Sequence, residues 1–343
     1  MWMRHAIALL GLIGSGCAAH AQDFRIDDVS SARAANVAQL KPGTIAFSEQ
    51  TGEGATDLIR FEDWARKHPV EKKFLALFPS YAEPTVGKAE NGSAGPVVEK
   101  LYMYVAQARF VLDRAPGAID LSRYVTLEFL ERIDPAIKHK VIAAADVVPF
   151  TDEAGAGNEN PDRKWCTGRP TLICIQSSYK LEGKLPIGIM LVNKLRDSAK
   201  KIIDHIDFQS ELSQLAPADV DQAGLQELTA LDTPIAGLLE QDIFYVNQMM
   251  KFGKFFAVFQ GHPTDPGKTV VTAFMALAID ASVLDKKKEF EKVPVLRNLV
   301  PAEVLMGRSS FNSGDSISAG LPRYARNEIA TIAGILQRDK GAK

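Results

Sequence analysis

The sequence predicts an α+β fold, an antiparallel sheet of at least four strands packed on helices and preceded by a mostly helical N-terminal region. Two observations lead there. β-rich runs occur in pairs about short turn-forming segments, and two apolar stretches repeat at helical spacing beside them. Thr171 to Leu181 and Pro186 to Leu195 flank Glu182-Gly183-Lys184, and Lys254 to Gln260 and Thr269 to Leu284 flank the turn GHPTDPGK, so each pair reads as a hairpin. Between the hairpins, Ile235, Leu238, Leu239, Ile243, Val246, Met249 and Met250 follow the 3.6-residue period and stop at Gly253, which predicts a helix. Leu321, Ala325, Ile329, Ile332, Ala333 and Leu336 predict a second, opening after Pro322.

Residues 22–150 read as mixed but mostly helical. Leu58, Phe61, Trp64 and Ala65 share a helical spacing, and Lys72 to Phe78 continues the pattern. Asp134-Pro135 predicts a helix start, with Asp as N-cap and Pro in the first turn, followed by Ile137, Val141, Ile142 and Ala145 on one face. Leu101 to Leu112 is β-branched and aromatic enough for a strand, with helix as the alternative. Residues 151–162, TDEAGAGNENPD, form an acidic linker, and residues 163–343 the α+β region.

The first 21 residues have the parts of a secretory signal: Arg4 near the start, an apolar run from Ala6 to Ile13, and Ala19-His20-Ala21 before the cut. This predicts cleavage after Ala21 and a periplasmic or secreted protein. Lipidation at Cys17 is the alternative, weakened by Gly14 where a Leu-like residue is preferred. No later segment is long and apolar enough to predict a transmembrane helix in the mature chain. Cys166 and Cys174 remain, bracketing the turn formers Gly168 and Pro170, and in an oxidising compartment they predict a disulfide.

Lys plus Arg numbers 40 and Asp plus Glu 42, so no bulk charge favours nucleic acid or an anionic membrane. GHPTDPGKT has five residues where a phosphate-binding loop needs four before its Gly-Lys, and a strand follows where a helix should. The acidic linker lacks the ligand order of a calcium loop, and no cofactor or metal is predicted. His68, His139, His205 and His262 stand apart from one another, with Asp204 and Asp207 beside His205 and Asp265 three residues after His262. Lys286-Lys287-Lys288 reads as a solvated strand end.

With no full catalytic motif, the leading expectation is an exported, non-catalytic binding or accessory protein. Its ligand would be small and partly apolar, in a cavity between sheet and terminal helix, beside Met249, Met250, Phe252 and Phe256. Arg308 and Asn312, in the polar loop Gly307 to Ser316, are further candidates for binding groups. One alternative is a Ser-Lys hydrolase of the penicillin-recognising type. Ser198 would be the nucleophile, Lys201 its base one turn away, Tyr245 begins a Tyr-x-Asn, and Lys268 would hold a substrate carboxylate, although Val270 stands where the third motif has Gly. The other alternative is a structural component of a cell-envelope assembly, with an envelope protein as partner.

Overall fold

The computed structural model describes residues 24–49, 86–88, 96–98, 101–148, 164–168, 172–180, 205–246, 250–280 and 317–339. They form a mixed α+β fold dominated by one nine-stranded sheet. Its strands are β1 (Arg25–Asp28), β2 (Thr44–Glu49), β5 (Leu101–Leu112), β6 (Lys138–Val141), β7 (Leu172–Lys180), β8 (His205–Leu215), β9 (Ile235–Val246), β10 (Met250–Gly261) and β11 (Thr269–Asp280). Two short strands, β3 (Val86–Lys88) and β4 (Pro96–Val98), pair by themselves. The main order is β1-β2-β5-β11-β10-β9-β8-β7-β6, parallel between β1 and β2 and antiparallel elsewhere. Three α-helices accompany it: α1 (Leu127–Ile133), α2 (Gln222–Thr229) and α3 (Ile317–Arg338).

Both sheet faces are covered. On the inner face Phe47, Ala108, Phe110, Leu212, Leu239, Phe259, Val271 and Met275 pack against α1 and α3. On the outer face Val105, Leu238, Val258, Phe274 and Ala276 pack against Leu225 and Leu228 of α2. A strand buried on both faces loses its polar alternation, and that corrects one expectation: the stretch from Ile235 is strand β9, not a helix. Leu238 faces α2 while Leu239 faces α3, so apolar residues on opposite sides imitate a helical period.

A second correction concerns Asp134-Pro135, which ends a helix. Thr126 caps the start of α1, its Oγ1 accepting from the Phe129 amide at 3.2 Å. The Asp134 amide donates back to Leu130 at 3.0 Å, its Oδ1 accepts from the Ala136 amide at 2.9 Å, and β6 follows in place of the expected helical face. Pro135 cannot continue the ladder that α1 began. The largely helical N-terminal region is not supported: the described residues of 22–150 contain six strands and a single α-helix, α1. Residues 51–85, where the helical spacing was read, lie outside the described residues. The acidic linker does too, and the sheet takes strands from both sides of it.

The hairpin at GHPTDPGK forms as expected. His262 N–H donates to the Lys268 carbonyl at 3.1 Å, and Asp265 Oδ1 accepts from the Gly267 amide at 3.0 Å. Of the other hairpin, Thr171–Leu181 supplies β7, flanked by β6 and β8, while Pro186–Leu195 lies outside the described residues. Cys166 and Cys174 are joined, their Cα atoms 5.4 Å apart, and the bond ties the 164–168 turn to β7. Trp165 of that turn stacks on Phe244 with ring centroids 4.5 Å apart.

The terminal helix α3 begins earlier than expected, with Pro322 inside it. Its C-terminal carbonyls are held by Arg114, which donates to the carbonyls of Leu336 and Asp339. Arg132 pairs with Asp339 at 3.0 Å. Nearer the other end, Arg326 lies 4.5 Å over the Phe47 ring and pairs with Asp28 at 2.6 Å. The helix is thus clamped to β1, β2, α1 and the end of β5. No described helix is long and apolar enough to cross a membrane.

Candidate ligand-binding cavity

Between the inner sheet face and the two helices lies a cavity of about 110 Å³. Strand alternation directs Phe110 of β5, Leu212 of β8, Ile243 of β9, Phe255 of β10 and Met275 of β11 towards it, and α3 brings Tyr324, Ile329 and Ile332. Phe129, Leu130 and Ile133 of α1 close another side. The space persists partly because Ala257 and Ala273, paired across the β10–β11 ladder, put only methyl groups on its floor.

A few polar groups interrupt this apolar wall. Glu328, on α3, is 7% exposed, and Asp134, at the end of α1, is 4% exposed. Burial pushes Glu328 up to about 8, and the nearby Asp134 charge adds to the effect, so the Glu328 carboxyl is mostly protonated at pH 7. Burial raises Asp134 as well, opposed by the hydrogen bond from Ala136. His139 enters from β6, its Nδ1 2.8 Å from Ser177 Oγ, and burial lowers its pKa so that the neutral ring is favoured. Gln241 donates to Ser210 Oγ at 3.1 Å. An apolar chamber with a small polar end suits a compact, mostly apolar ligand carrying one polar group.

The predicted binding residues fall differently. Phe256 stands at the cavity wall, but its ring stacks on Phe274 at 4.7 Å in the cluster under α2, and its neighbour Phe255 takes the inward position. Met250 and Phe252 are backbone positions in the first turnings of β10. Met249, Arg308 and Asn312 lie outside the described residues.

The hydrolase set is not brought together. Ser198 and Lys201 lie outside the described residues. Gly253 pairs with Ile243 while Gly261 pairs with Thr269, which puts Tyr245 and Lys268 at opposite ends of the sheet, about ten strand positions or 30 Å apart. Lys268 instead pairs with Asp265 within its own turn at 2.9 Å. His205 pairs with Asp207 at 3.1 Å, and His262 Nδ1 accepts from the Thr264 amide at 3.3 Å. Among the described residues no group of three or more His, Cys, Asp or Glu could hold a metal ion.

Glu328, Asp134 and His139 were missed as site residues. Glu328 left a trace, since it lies three residues after Ala325 and four before Ile332, a charge on the apolar stripe of an amphipathic helix. Asp134 was masked by its capping role, and His139 carries no flanking acid to mark it.

No protein-family model matches the chain, and no curated protein matches it in sequence. Among solved structures it is similar to the ZhuI aromatase/cyclase from Streptomyces sp. R1128, at 10% identity and a TM-score of 0.32 over 69% of this chain and 95% of that one. It is also similar to Ara h 8.0201, at 9% identity and a TM-score of 0.25 over 60% of this chain and 99% of that one. A third is human STARD10, at 9% identity and a TM-score of 0.26 over 68% and 79%.

Proposed function

We propose that the chain is an exported, non-catalytic binding or accessory protein whose small, partly apolar ligand occupies the cavity between the sheet and α3. The carrying observation is the cavity, apolar on nearly every side, with the Glu328 carboxyl at its wall. Burying a carboxyl costs stability, and a ligand that engages Glu328, whose side chain has no hydrogen bond among the described residues, returns part of that cost. Export is supported by the signal pattern of residues 1–21, and the Cys166–Cys174 bond suits an oxidising compartment.

The test is the intact mass after export to a periplasm, under native and denaturing conditions. The expected denatured mass starts at Gln22 and is two hydrogens short, and the native mass exceeds it by one discrete ligand. Equal masses, together with no saturable binding of small aromatic compounds, would overturn the binding reading. A full-length or acylated chain would overturn the proposed processing.

A further inference from the structure

Resting on that cavity reading, we infer that the ligand carries one cationic group, an amine on a small apolar body, received between Glu328 and Asp134. The wall is uneven in charge. No lysine or arginine borders the cavity among the described residues, and burial holds the bordering His139 ring neutral, so an anionic ligand would meet carboxyl groups with no cation to neutralise it. Three arginines at α3 are engaged elsewhere: Arg326 with Asp28, Arg132 with Asp339, and Arg114 with the helix-end carbonyls.

The carboxyl groups beside the cavity differ in what already satisfies them. Glu240 turns to the outer face, 3.3 Å from the Lys254 ammonium, and Asp134 accepts the Ala136 amide. Glu328, more than nine-tenths buried, has neither a cation nor a hydrogen-bond donor beside it among the described residues. An incoming ammonium supplies both, donating N–H bonds to Glu328 and Asp134. On binding at neutral pH, Glu328 gives up its proton and becomes the carboxylate partner. The rings of Phe110, Phe129, Phe255 and Tyr324 form part of the remaining wall, and aromatic faces favour a cation over an anion.

The experiment compares benzylamine, benzyl alcohol and benzoate, which share one ring, by calorimetric titration of the mature protein. Benzylamine should bind about ten-fold more tightly than benzyl alcohol, and benzoate weakest. Benzylamine binding should also release close to one proton at pH 7, read from the dependence of its heat on buffer ionisation. In Glu328→Gln the amine's advantage and the proton release should both disappear while benzyl alcohol still binds. In Asp134→Asn, which keeps the oxygen facing Ala136, the advantage should shrink. Equal binding of amine and alcohol, tighter binding of benzoate, or an unchanged ratio in Glu328→Gln would overturn the inference and leave the cavity reading standing. Failure of all three compounds to bind would overturn both.

Discussion

Glu328 on the terminal helix and Asp134 at the end of the first helix border the same cavity, and the charge of Asp134 raises the pKa of Glu328. Two carboxyl groups from elements almost 200 residues apart converge where the wall is otherwise apolar. α3 is held at its C-terminal end by Arg114 and near its middle by Arg326.

Stability should therefore fall as pH rises. Glu328 ionises near its ordinary value of 4.5 in the unfolded chain and near 8 in the folded one, so between those values the folded state holds the extra proton. Asp242, raised from 3.8 to about 7 chiefly by burial, acts in the same direction. Together the two shifts should lower the unfolding free energy by about 6 kcal/mol between pH 5 and pH 8, opposed in part by His139, whose lowered pKa acts in the other direction. Urea unfolding across that range checks it, and Glu328→Gln should flatten the slope.

On the outer face, Lys254 is buried with its ammonium 2.9 Å from Asp242 and 3.3 Å from Glu240. Replacing it by Met keeps the volume but leaves two buried acids without their cation. Lys254→Met should cost about 3–5 kcal/mol at neutral pH, less at pH 5 where the acids take up protons. Unfolding curves of the variant at both pH values decide the point.

The Cys166–Cys174 bond closes a loop of sequence separation 8. Its loss in the double variant Cys166→Ser, Cys174→Ser should cost about 2–3 kcal/mol, mostly through the unfolded chain. The protein should still fold, because the nine-stranded core does not depend on that turn. Thermal unfolding with and without reductant gives the same comparison without mutation.

Arg114 holds the end of α3, and Arg114→Met should loosen that end. Amide hydrogen exchange should quicken in the last turn, at Leu336 to Asp339, while the β10–β11 ladder keeps its protection. Uniform loss of protection across the sheet would instead mean that the clamp supports the whole fold.

Local turn chemistry was legible. GHPTDPGK declared its hairpin, and the last helix was plain in the spacing of Ala325, Ile329, Ile332, Ala333 and Leu336. Ile235–Val246 was misread because the sheet is covered on both sides, and no local pattern announces a second layer. The strand His205–Leu215 went unread for a related reason: its buried outer positions include Glu211 and Ser213, whose burial is decided by distant partners. Of the cavity, its place between sheet and terminal helix could be anticipated. Its polar end could not, since Asp134 and Glu328 meet only through the tertiary fold.

The cavity itself is tested most directly by titrating benzyl alcohol into the mature protein and into Ala273→Phe, whose ring would fill the floor where Ala273 and Ala257 face each other. The natural protein should bind it saturably, one to one, and the variant, still folded, should not. Equal binding to both proteins, or to neither, would contradict the cavity reading.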